Sequence, residues 1–327
     1  MSIKMDVTRK LLKAKKDINK KRLSNIEHFS SIYDILEIND NSRNAPNVIK
    51  KIALANLKVT NIKLSNVKCI KFEPKHTKYF SKTTMHNDYV FLYIHGGGFA
   101  NGLAEQGAYF IKSFMRQTGI CTISVDYSLS PEVLFPTALN EIYNVYLELL
   151  KTYKHNKIIV GGESAGGNLA LSLMLKLRDN NKPMPKMAVL ASPYLDLTNT
   201  GESYTQNENS DPLLTKKQTS FMSTAYIVGN KVELLPKNAF INPLVSPIYA
   251  DLTGLPPMFI SVCEDELLYS DSLTLYNNCL RDKVKAKFHT NKNCFHAYLI
   301  LGDFFIESKN ATKTCCDYVK KVLKLNN

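Results

Sequence analysis

An α/β fold built on a mostly parallel sheet is what this 327-residue chain predicts, and three observations predict it. Eight short β-branched or apolar runs read as strands: 57–64, 67–72, 89–94, 120–125, 157–160, 187–190, 258–263 and 286–289. Helical patterns at 106–118, 137–153, 165–179 and 268–281 separate most of the later ones. Strands that alternate with helices of this length pair in parallel, with helices covering both faces. The third observation is Gly162-Glu163-Ser164-Ala165-Gly166-Gly167, where glycines join a buried strand to an apolar helix through a turn that side chains would block.

Two segments fall outside that rhythm. Residues 1–50 read as helices that precede the first strand and pack outside the core. They carry Leu11, Leu12, Ala14, Ile18 and Leu23, then Ile26, Phe29, Ile32, Tyr33 and Leu36, with a polar break at Asn39-Asp40-Asn41. Residues 196–247 hold turn-forming stretches and one amphipathic run, 215–228, with no strand signal. A connection this long has a job, because strands of a compact sheet need only short links. Together the two segments are expected to cap the carboxyl ends of the strands, where such sheets bind ligands. The expected division is 1–50 as N-terminal cap segment, 51–195 and 248–327 as the two parts of the core, and 196–247 as cap insertion.

Forty-two Lys and Arg against 29 Asp and Glu leave a formal charge of +13. Only six residues are arginine, and the lysines are dispersed, so the planar, bidentate recognition of phosphates is missing and nucleic acid is not an expected partner. The basic run from Arg9 to Arg22 reads as a solvated helix face, with a weak contact to an anionic surface as the alternative. No stretch of eighteen apolar residues spans a membrane, no cleavable leader pattern opens the chain, and Leu325-Asn326-Asn327 carries no targeting signal, so a cytoplasmic location without a membrane anchor is expected. The seven cysteines lack the paired spacing of zinc sites and read as reduced and structural, with one thiol of Cys315-Cys316 buried and one exposed. No metal is expected.

The chemistry centres on Ser164. A tight strand-to-helix turn lifts its hydroxyl above the sheet edge with a helix N-terminus behind it. A serine hydroxyl needs a base to become a nucleophile, and the base needs a carboxylate to orient it. In enzymes with this turn the acid and then the histidine follow the serine in the chain. Downstream lie only His289, which ends an alternating strand pattern, and His296, in a loop after the last strand; His296 is the expected base. The strand 258–263 empties into Glu264-Asp265-Glu266, with Asp271 on the next helix. Asp265 is the choice among the four, and spacing does not separate it from Glu264. His95-Gly96-Gly97-Gly98-Phe99 follows strand 89–94 and lacks the spacing of a phosphate-binding turn. Its Gly97 and Gly98 amides, with that of Ala165, are the expected oxyanion donors, Gly96 being the alternative register.

These motifs resemble the hormone-sensitive-lipase group of α/β-hydrolases, the carboxylesterases called family IV. Asp126-Tyr127-Ser128-Leu129-Ser130-Pro131-Glu132 with Phe135-Pro136 is similar to a block of that group, as are Ser192-Pro193-Tyr194-Leu195-Asp196-Leu197, Asp211-Pro212-Leu213-Leu214-Thr215 and Asn242-Pro243-Leu244-Val245-Ser246-Pro247. The likeness covers about residues 55–300. It implies an α/β-hydrolase fold with an eight-stranded sheet and a helical cap, and places the acid on Asp265 and the base on His296. It further implies a serine esterase for short- to medium-chain acyl esters, without cofactor, with Phe99, Tyr194 and Leu195 at the substrate and a homodimer possible. Amide cleavage is the alternative within the group, and a non-catalytic small-ligand receptor a remoter one. Ser128 replaces the group's usual arginine, and Glu163 its usual aspartate.

Overall fold

The computed structural model describes residues 2–24, 47–75 and 77–325. The expected helical positions Ile26, Phe29, Ile32, Tyr33 and Leu36, and the break at Asn39-Asp40-Asn41, lie outside the described residues. One eight-stranded sheet forms the centre: β1 (Leu57–Leu64), β2 (Val67–Pro74), β3 (Val90–Ile94), β4 (Cys121–Asp126), β5 (Ile158–Glu163), β6 (Met187–Ala191), β7 (Met258–Cys263) and β8 (Ala286–Asn291). Their spatial order is β1-β2-β4-β3-β5-β6-β7-β8. Only the β1–β2 and β2–β4 pairs are antiparallel; from β4 to β8 every pair is parallel.

Parallel strands buried on both faces need apolar side chains at every position, and β3, Val-Phe-Leu-Tyr-Ile, is buried throughout. Val90, Leu92 and Ile94 join one core, packed under α4 (Thr137–Leu149), α5 (Ala165–Asp179) and α8 (Tyr269–Arg281). Phe91 and Tyr93 point the other way, into a second core under α3 (Ala108–Thr118) and α9 (Ile306–Leu323). Cys315 and Cys316 both lie in this second core. The expectation of one exposed thiol is corrected, because α9 is covered on two adjacent sides; all seven cysteines are free and buried.

Register places the chemistry. Strand β5 runs three residues past its apolar part, because Gly161, Gly162 and Glu163 pair with Val189, Leu190 and Ala191. Glycines have poor strand propensity, which hid this extension from the sequence. Ile94 pairs with Gly162, Ala191 with Ser261, and Cys263 with Asn291, so β3, β5, β6, β7 and β8 end at one rim. Each continues into a segment carrying a candidate residue.

Outside the sheet lie α1 (Ile3–Ser24) and α2 (Asn47–Leu54), then α6 (Ser203–Gln206) and α7 (Lys216–Val228) in the 196–247 insertion. Helix α7 starts in a capping box, Thr215 Oγ1 accepting from the Gln218 amide while the Gln218 side chain accepts from that of Thr215. It lies against the 95–102 loop: the Tyr226 ring stacks on Phe99 at 3.9 Å, and the Phe135 amide donates to Tyr226 O. No helix among the described residues is long and apolar enough to cross a membrane.

Candidate active site

Ser164 is the N-cap of α5 and holds φ 54°, ψ −123°, a conformation that side chains disfavour by roughly 1–3 kcal/mol. The turn survives because its neighbours close in. A Cβ on Gly162 would sit 2.1 Å from Ile94 O, and one on Gly166 would sit 2.1 Å from the same oxygen. Only glycine lets the turn approach β3 this closely. The Ser164 amide donates to Ala191 O at 3.0 Å, fixing the turn to the end of β6.

The residue after β6, Ser192, reaches the other half of the site. Its Oγ donates to Glu266 Oε2 at 2.8 Å and accepts from the Ala297 amide at 3.0 Å. Glu266 is fully buried; Oε2 also accepts from the Cys263 amide, and Oε1 lies 2.9 Å from His296 Nδ1. One dipeptide, Ala191-Ser192, thus joins the serine turn, the carboxylate and the histidine loop. Burial opposes protonation of His296, but the Glu266 carboxylate outweighs it, with Asp211 and Glu163 contributing, and the imidazole pKa rises above its ordinary 6.5.

The glycine loop is held from behind. Glu163 Oε1 accepts from the Gly96 amide and from Gln106 Nε2, both at 2.8 Å, and Oε2 accepts from Tyr93 Oη. Burial pushes the Glu163 carboxyl up to about 7 against these hydrogen bonds. His95 is buried and stacked on Tyr127 at 4.3 Å; burial lowers its pKa to about 4, so the ring is neutral and packs the loop. The loop passes Ser164, a Cβ on Gly96 falling 3.1 Å from Ser164 Cβ. The amides of Gly97, Gly98 and Ala165 donate to no acceptor among the described residues.

A family profile described as the alpha/beta hydrolase fold matches residues 91–300. The chain belongs to that family. It is 33% identical to an esterase of Acinetobacter venetianus over 230 residues, 70% of this chain and 74% of that protein. It is 31% identical to an acetyl-hydrolase of Streptomyces hygroscopicus over 63% of this chain and 67% of that protein. The crystal structure of an esterase from the bacterial hormone-sensitive-lipase family matches at TM-score 0.74 and 28% identity, over 82% of this chain and 86% of that one. Within the α/β-hydrolases the chain falls in the hormone-sensitive-lipase-like group.

In this α/β-hydrolase the carboxylate beside His296 is Glu266, which corrects the expectation of Asp265. Successive residues of the turn after β7 point apart. Asp265 Oδ2 accepts from the Asn293 amide and lies 3.5 Å from Arg9 Nη2, on the partly exposed side. Glu264 accepts from Thr290 Oγ1, and Asp271 is buried, accepting from the Leu195 and Asp196 amides. His289 stays on β8, where it faces the Phe259 ring. Phe99, Tyr194 and Leu195, expected at the substrate, are buried, at 1, 2 and 0% exposure. Tyr194 Oη is used on Asn199 and Thr219 O, and its amide donates to Ser164 O.

Sequence reasoning missed four supporting groups. Ser192 opens the block Ser192-Pro193-Tyr194-Leu195, but nothing in that block pointed to a contact with the acid. Asp211, inside the block Asp-Pro-Leu-Leu-Thr, accepts from the Leu213, Leu214 and Leu267 amides and so pins the residue after Glu266. Arg9 of α1 reaches Asn293 Oδ1 at 3.0 Å and Ser210 O at 3.1 Å as well as Asp265. Met222 of α7 lies beside the glycine loop, its Sδ 2.1 Å from where a Cβ on Gly98 would stand. A separate surface cavity of about 650 Å³, bordered by Asp196, Tyr249, Asp271 and Arg281, includes none of Ser164, Glu266 and His296.

Proposed function

We propose that the protein is a serine carboxylesterase acting on short- to medium-chain acyl esters through an acyl-enzyme. The observation that carries this reading is the buried Glu266–His296 pair, tied through Ala191-Ser192 to the strained turn of Ser164. Ser164 Oγ attacks the ester carbonyl while His296 Nε2 takes its proton; Glu266 holds Nδ1–H and stabilises the imidazolium. The carbonyl oxygen gains negative charge at the Gly97, Gly98 and Ala165 amides, where the N-terminus of α5 adds its dipole. Collapse expels the alcohol with the proton from His296, leaving acyl-Ser164. Water, deprotonated by His296, attacks the acyl carbon, and the acid leaves as Ser164 regains its proton. Each step uses groups of this chain.

The acetyl-hydrolase and esterase relatives support an acyl ester as substrate. Ser164→Ala is expected to lower turnover of p-nitrophenyl acetate and butyrate by roughly 10⁴-fold or more while leaving the circular dichroism spectrum unchanged. A fluorophosphonate probe should label the wild type and spare that variant. Undiminished turnover in Ser164→Ala overturns the reading.

A further inference from the structure

Helix α1 has two unlike faces. Met5, Arg9, Leu12 and Lys16 turn inward: Met5 is buried, Leu12 packs on the second core, and Arg9 and Lys16 bond the 208–211 and 293 segments. Ile3, Val7 and Leu11 turn outward and are 85, 50 and 67% exposed. Ala14, also exposed, continues the row, and at 100° per residue the four fall within an arc of about 80°. Exposed lysines border it: Lys4 and Lys15 on one side, Lys10 and Lys13 on the other, with Asp6, which pairs with Lys10, and Asp17 as the acids nearby. The row continues beyond the helix. Lys4 sits over the Phe304 ring at 3.5 Å and Ser2 binds Glu307, beside Phe304 and Ile306, themselves 44 and 51% exposed.

We propose that this face docks the enzyme on an anionic lipid surface. Apolar side chains on a four-residue repeat, edged by lysines, are the pattern of a helix lying in the plane of a membrane interface. Charge complementarity selects an anionic surface: the helix carries nine Lys and Arg against two Asp, in a chain of +13. Docking is peripheral, the apolar row entering among the acyl chains while the lysines stay at the headgroups. The inward face of the same helix touches Asp265 and Asn293, neighbours of the Glu266 and His296 loops, so the lipid-bound enzyme presents its site close to where acyl esters dissolve.

The test is flotation of the full chain with vesicles of phosphatidylcholine and phosphatidylserine at roughly 3:1, beside vesicles of phosphatidylcholine alone. Wild type is expected to float with the anionic vesicles and to be released by about 0.5 M NaCl, where the Debye length falls to about 4 Å. Ile3→Ser, Val7→Ser and Leu11→Ser combined should weaken binding by about tenfold or more, and Lys4→Gln, Lys10→Gln, Lys13→Gln and Lys15→Gln combined should remove the preference for anionic vesicles. Circular dichroism melting checks that both variants fold, so the result is independent of any esterase assay. Absence of vesicle binding by wild type, or binding untouched by the serine variant, overturns the proposal. So does a concentration-dependent dimer that the serine variant dissolves, which assigns the face to a second copy of the chain.

Discussion

Glu266 and Asp265 are neighbours with opposite surroundings, and the difference decides what each does. Glu266 is buried with its oxygens shared among His296, Ser192 and the Cys263 amide; Asp265 is partly exposed beside Arg9. Glu266→Gln leaves a neutral amide at Nδ1, and kcat/KM for p-nitrophenyl butyrate should fall by roughly 10³–10⁴-fold. Asp265→Asn should lose less than about tenfold, since its carboxylate does not touch the imidazole. Equal losses in the two variants would undo the assignment. The raised pKa of His296 sets a pH dependence as well. As the proposed base, His296 works only when neutral, so the acid limb of kcat/KM belongs above 6.5, and activity rises with pH through it. The stabilisation from protonated His296 runs the other way: it is complete below the unfolded pKa and disappears as pH rises through the folded value.

At the scale of elements, Arg9 of α1 ties the insertion to the loops that carry Glu266 and His296. Arg9 reaches Asn293 Oδ1, Ser210 O and Asp265 Oδ2, and Ser210 Oγ in turn donates to Asp265 O. These three segments precede His296, Asp211 and Glu266. Removing the clamp frees loops that position the proposed base, His296, without touching Ser164. Arg9→Gln is therefore expected to lower kcat by about threefold to tenfold with KM little changed, and Arg9→Lys to restore only part of it, a lysine lacking the planar fork. A purely structural role predicts a lower melting temperature with kcat intact.

For the molecule as a whole, the buried acid behind the glycine loop makes stability depend on pH. The Glu163 carboxyl titrates near 7 in the folded chain against an ordinary 4.5. Between those values the folded state holds the extra proton, so stability contributed by Glu163 falls as pH rises through the window. Urea unfolding of Glu163→Gln between about pH 5 and pH 8 should decline less steeply than wild type, by on the order of 2 kcal/mol over the range. Parallel slopes would show that Glu163 stays ionised in the folded protein. The amide oxygen can still accept from Gly96 and Gln106, so the loop need not be lost.

The alternation of strands and helices, the serine turn, the glycine loop and His296 were legible in the chain because each depends on local pattern: apolar periodicity, glycines where backbones crowd, one histidine past the last strand. Tertiary structure alone decided which of three consecutive acidic residues faces the imidazole and that both vicinal thiols are buried. A turn sends adjacent side chains in different directions, and only the groups folded over it, here Ser192, Asn293 and Arg9, settle which direction is inward.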